Sequence, residues 1–101
     1  MPYGLTDSEF QFLTNSVVDP LKQVHAKVYL FGSRANGKYK KFSDIDILYI
    51  PDNSKPIPSA IISKIVTTLE DSQFAYKVDL VSSKELAASY LPSVDNEKIE
   101  L

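Results

Sequence analysis

The chain contains no cysteine, which excludes disulfides, zinc–thiolate sites and thiol nucleophiles together. Long hydrophobic runs are also missing. The apolar stretches at residues 28–31 and 47–50 fall far short of the roughly 18 residues that suggest a membrane span. No basic segment followed by an apolar one opens the chain, so no secretory signal is expected and a cytoplasmic location is the default. Neither charge sign dominates: 11 Lys and Arg stand against 13 Asp and Glu, a net charge of -2. Direct nucleic-acid binding is therefore not expected, because it favours a strongly basic domain. The single histidine, His25, lies in a polar stretch and receives no functional role.

What remains is an ordinary globular composition, 44% hydrophobic and 24% charged over 101 residues. That length predicts one domain over residues 1–101, with a modest core and no room for a second, substrate-recognising domain. Thr6 followed by Glu9 reads as a capping box, and Phe10, Leu13, Val17 and Leu21 then recur at helical spacing. Asp19-Pro20 restarts that helix as a last turn. Residues 28–31, β-branched and aromatic, predict a strand that ends at Gly32. Residues 33–36 predict one helical turn closed by Gly37, and the basic residues 38–41 a loop. A second strand is expected over residues 44–50, a proline-rich connector over 51–58, and a helix carrying Ile61, Ile62, Ile65 and Leu69 that ends near Asp71. Residues 77–81 predict a third strand. Ser82 and Glu85 form another capping box, predicting a short helix to about Tyr90 before Pro92. The last nine residues read as a frayed tail or a contact arm for a partner. The order implies an α/β fold, a small mixed β-sheet flanked by helices, with strands two and three parallel around their crossover helix.

The informative motif is Gly32-Ser33, ten residues, then Asp44-Ile45-Asp46. Side chains alternate along a strand, so Asp44 and Asp46 share one face while Ile45, Ile47 and Tyr49 take the other. Two carboxylates one pleat apart repel, and a cation between them relieves the repulsion. The glycine lets a phosphate approach the backbone, and the serine adds a hydroxyl. Asp79, in the third strand, faces the same way as Lys77 and Val81 and is placed to join the pair. Residues 32–38 imitate most of a P-loop, but Tyr39 stands where that motif needs Ser or Thr, and no long helix follows.

The string Phe31-Gly32-Ser33-Arg34-Ala35, then Ser43-Asp44-Ile45-Asp46-Ile47, then Val78-Asp79-Leu80-Val81 resembles the nucleotidyltransferase superfamily typified by DNA polymerase beta. Within it the chain is similar to the minimal nucleotidyltransferases, or MNT proteins. The resemblance implies a polymerase beta-like nucleotidyltransferase fold and a nucleotide site at Gly32, Ser33 and Arg34. Asp44, Asp46 and Asp79 are implied as catalytic residues and as ligands for two Mg2+ ions, with ATP as substrate. MNT proteins pair with HEPN-domain proteins, so the implied activity is that of an antitoxin that adenylylates a tyrosine of its HEPN toxin. Two alternatives stand beside it: a nucleotide-binding antitoxin that neutralises its partner by complex formation alone, and a small-molecule nucleotidyltransferase of the aminoglycoside-modifying kind. Homo- and hetero-oligomers are both left open.

Overall fold

The computed structural model describes residues 2–52, 54–85 and 98–101. Helix α1 (Asp7–Leu13) starts at the predicted capping box: the Glu9 backbone N–H donates to Thr6 Oγ1 at 3.2 Å, and the Thr6 N–H donates to Glu9 Oε1 at 2.8 Å. The helical path then departs from the uniform periodicity expected. Residues Thr14–Val18 form a π-helical stretch, and α2 (Asp19–Gln23) resumes the ordinary pitch. Pro20 explains the slip. It has no N–H to return to the residue four before it, and its ring crowds that carbonyl. The Asp19 N–H reaches back five residues to Thr14 O instead.

Four strands form one sheet in the order β3-β2-β1-β4: β1 (Lys27–Phe31), β2 (Ile45–Ile50), β3 (Val78–Ser82) and β4 (Ile99–Glu100). β1 and β2 are antiparallel, while β2 and β3 are parallel. α4 (Ser59–Asp71) links the parallel pair, so the mixed sheet is as expected. Period-two alternation sends Val28, Leu30, Ile45, Ile47 and Tyr49 to one face. There they join Leu13, Val17, Leu21 and Ile65 in one buried cluster, which fixes strand register, since a one-residue slip would turn all of them outward.

Strand boundaries move by a residue: β1 begins at Lys27, Asp44 stands just before β2 and not within it, and β3 runs from Val78 to Ser82. The carboxy-terminal expectation needs a larger correction. Ile99–Glu100 pair with β1, Leu30 opposite Ile99, and the Leu101 N–H donates to Val28 O at 2.9 Å. The Lys22 ammonium donates to Leu101 O at 2.6 Å. An unpaired β1 edge has a row of backbone groups to satisfy, and the terminal residues do so while Ile99 packs against the core. Of the helix expected after Ser82, only residues 83–85 are described, and they form a turn. There the Glu85 N–H donates to Ser82 O, while Ser82 Oγ accepts from the Lys84 N–H and not from Glu85 as the expected capping box requires; the rest, with Tyr90 and Pro92, lies outside the described residues.

Candidate active site

The outward face of the sheet carries Phe31, Asp46 and Asp79 abreast: Phe31 pairs with Asp46 across the antiparallel ladder, and Asp46 with Asp79 across the parallel one. β1 ends at the bend that leads into α3 (Ser33–Asn36). At that bend Gly32 has φ 75° and ψ -155°, a conformation essentially reserved for glycine. A side chain there would also collide with Asp46, because a Cβ on Gly32 would run into Asp46 Oδ2. The bend and the carboxylate are thus in contact. Gly37 closes α3 in the left-handed conformation at φ 82°, as the sequence predicts for a helix end.

The electrostatics of Asp46 are those of an acid under pressure. Its pKa is raised from 3.8 to about 6, first by burial, then by the charge of Asp79, then by that of Asp44, and by a side-chain hydrogen bond with Asp79. Lys77 opposes the shift weakly. It lies 3.6 Å from Asp79, but both side chains are well exposed, so water screens the pair. The structure therefore brings Asp46 and Asp79 into contact and leaves Asp44 acting on them through its charge. Among the described residues no group of three or more His, Asp or Glu side chains is already assembled as a metal centre.

A raised pKa of this kind has a thermodynamic consequence with a definite sign. The folded protein binds the Asp46 proton more tightly than the unfolded chain does, so the contribution is fully present below about pH 4 and is lost as pH rises to about 6. In metal-free buffer, stability should fall across that window by about 1–2 kcal/mol more in the unaltered protein than in Asp46→Asn, after allowance for solvent screening. Parallel urea unfolding curves at several pH values check this. Superimposable pH profiles for the two proteins would contradict it.

Arg34, expected on the nucleotide, is turned inward and is only 2% exposed. Its Nε and Nη2 donate to Ser43 O at 3.1 and 2.9 Å, and Nη1 donates to Tyr3 O at 2.8 Å. The rings of Tyr39 and Tyr76 lie 5.3 and 4.6 Å from its guanidinium carbon. A rigid planar fork suits two carbonyls at once, so Arg34 braces the segment before Asp44. Sequence reading missed this because nothing local marks an arginine on a short helix as buried. The one available signal was the absence of any acid between Arg34 and Ser43. Arg34→Ala should cost about 2–4 kcal/mol by leaving those carbonyls unpaired. Arg34→Lys should recover little of it, since one ammonium cannot reproduce the fork. Chemical denaturation measures both, and a loss under about 1 kcal/mol for Arg34→Ala would refute the bracing role.

Three clefts of about 290, 480 and 340 Å³ lie elsewhere: between α2 and α4, around His25 and Tyr29, and between α4 and β3. None is lined by Gly32, Ser33, Asp44, Asp46 or Asp79. Asp46 and Asp79 stand on the sheet face opposite the core cluster, beside the Gly32 bend.

The family model described as polymerase beta, nucleotidyltransferase, matches residues 16–101. The chain belongs to that family. No curated protein matches it. Among solved structures it is similar to one from a toxin–antitoxin complex with AMP-PNP, with a TM-score of 0.56 and 24% identity. That alignment covers 85% of this chain and 69% of the other, and the likeness is one of fold. A candidate nucleotidyltransferase from Sulfolobus solfataricus aligns over 96% of this chain and 88% of its own, with a TM-score of 0.43 and 21% identity. No helix among the described residues is long and apolar enough to cross a membrane.

Proposed function

We propose that the chain is a Mg2+-dependent adenylyltransferase that moves AMP from ATP to a hydroxyl, a tyrosine of a HEPN-domain toxin, and thereby serves as the antitoxin in the cytoplasm. The observation that carries the reading is the contact of Asp46 with Asp79 on adjacent parallel strands, beside a glycine bend that touches Asp46. Hard oxygen donors that repel one another suit a divalent cation, and the charges of Asp79 and Asp44, which with burial raise the Asp46 pKa, are the kind that a cation relieves. Asp44, Asp46 and Asp79 are the residues that would hold it. Once bound, such ions supply charge stabilisation for the attacking and leaving oxygens.

The chain's own residues do the rest. Gly32, lacking a side chain, lets the bend close onto Asp46, and Ser33 offers its hydroxyl and backbone to the β- and γ-phosphates. Asp79 takes the proton of the acceptor hydroxyl. The hydroxyl oxygen bonds to the α-phosphorus, the bond from that phosphorus to the bridging oxygen breaks, and pyrophosphate leaves with the electron pair. The modified tyrosine gains bulk and negative charge, enough to disable a ribonuclease surface that must accept RNA phosphates.

Residues 1–101 act in this reading as a single minimal domain, and the acceptor brings much of its own recognition surface. The toxin–antitoxin complex with AMP-PNP supports a toxin as the acceptor. Intact-mass measurement on the mixture of this protein, the partner, ATP and Mg2+ tests it. A gain of one AMP on the partner, absent with Asp44→Asn although the complex still forms, is the expected result. Neutralisation of the partner by Asp44→Asn with no mass gain would instead establish inhibition by binding alone.

A further inference from the structure

The loop joining α3 to β2 carries Lys38, Tyr39, Lys40, Lys41 and Phe42, with no acidic residue among them. All five are exposed. Phe42, at 69%, is the most exposed large hydrophobic side chain among the described residues. Lys41 and Phe42 occupy the corners of a turn closed by the Ser43 N–H donating to Lys40 O at 3.2 Å. The Lys40 N–H donates across the same turn to Ser43 Oγ at 2.7 Å.

Both ends of this loop are fastened. The Lys38 N–H donates to Ser33 O at 3.0 Å, the Tyr39 ring lies over the buried Arg34 guanidinium, and that guanidinium grips Ser43 O with two donors. The fastened turn holds a phenyl ring in water with the Lys41 ammonium beside it and Lys38 and Lys40 on the same loop, an apolar group and cations in one fixed arrangement. Its place in the chain gives the surface a use, because Phe42 stands two residues before Asp44, at most about 7 Å of extended backbone from it.

We infer that the turn at residues 40–43 docks the acceptor, and that the acceptor is a protein segment with acidic side chains beside its hydroxyl-bearing residue. The inference rests on the transferase reading above and adds to it the chemistry of the docking segment. Charge complementarity selects an acidic partner, since Lys38, Lys40 and Lys41 have no anion between them. The Lys41 Nζ lies 5.4 Å from the Phe42 ring centroid, so a single incoming segment meets an apolar anchor and a cation together. A nucleic-acid strand fits less well. It needs a basic track with several stacking rings, whereas this patch is one turn long and runs directly into Asp44 and Asp46.

Fluorescence anisotropy with a labelled glutamate–tyrosine copolymer reads docking without catalysis, with a lysine–tyrosine copolymer and an oligoribonucleotide as comparison probes. The acidic copolymer should bind, and Phe42→Ala and Lys40→Glu/Lys41→Glu should each weaken it about tenfold or more while melting within about 2 °C of the unaltered protein. Unchanged binding in both variants, no binding of the acidic copolymer, or preference for the oligoribonucleotide overturns the inference. AMP incorporation from labelled ATP is measured in the same samples. Docking without incorporation on any acceptor sinks the transferase reading alone, and incorporation undiminished in the loop variants sinks the docking alone.

Discussion

Asp46→Asn should lower AMP transfer by about three orders of magnitude or more while leaving the protein folded. The substitution keeps the shape of the side chain and its capacity to hydrogen-bond Asp79, and it removes a charge that burial, Asp79 and Asp44 all disfavour. Two consequences therefore run in opposite directions. Catalysis loses a charged oxygen donor from the proposed cation site, a loss of about 4 kcal/mol or more in transition-state stabilisation. The apo protein loses repulsion, and near pH 7 its melting temperature should hold or rise, at roughly 4–8 °C per kcal/mol for a domain of this size. Single-turnover transfer assays and thermal melts of the same preparation read both. A variant that is inactive because it melts far below the unaltered protein would contradict the account.

Gly32→Ala should damage both the fold and the candidate site. The backbone at φ 75° and ψ -155° excludes L side chains on its own, and the added carbon meets Asp46 Oδ2. We expect a stability loss of about 3 kcal/mol or more and, at temperatures where the protein remains folded, transfer reduced at least about a hundredfold because Asp46 is displaced. Gly37→Ala is the control. That glycine also has a positive φ, but nothing lies within 4 Å of its added carbon, so only the left-handed penalty of about 1 kcal/mol applies. Comparable losses of transfer at the two positions would show that strain alone, and not the contact with Asp46, makes Gly32 necessary.

How far the residues alone led depends on the kind of interaction involved. Asp46 and Asp79 were readable as neighbours because strand alternation and the parallel crossover are local rules, and the register pairs them directly. Gly32 was readable as a bend, but its contact with Asp46 depends on how β1 and β2 align, which no single segment encodes. Arg34 was misplaced for a related reason: its partners, Tyr3 and Ser43, are 31 and 9 residues away, and burial of an arginine is decided by carbonyls it meets only in the folded chain. The π stretch at Thr14–Val18 had a local cause in Pro20, yet periodicity weights apolar positions and is blind to a missing N–H. The carboxy-terminal pairing was invisible because two residues of strand carry too little pattern, and the β1 edge supplied the reason for them to pair.

The proposed seat for a divalent cation with a nucleotide is formed by Asp46 and Asp79 beside the Gly32 bend. Thermal melts with Mg2+ and AMP-PNP, added together to the unaltered protein and to the Asp46→Asn/Asp79→Asn variant, test it most directly. A rise of several degrees in the first and none in the second is predicted, since a ligand stabilises only the fold that binds it. An equal rise in both proteins would contradict the claim.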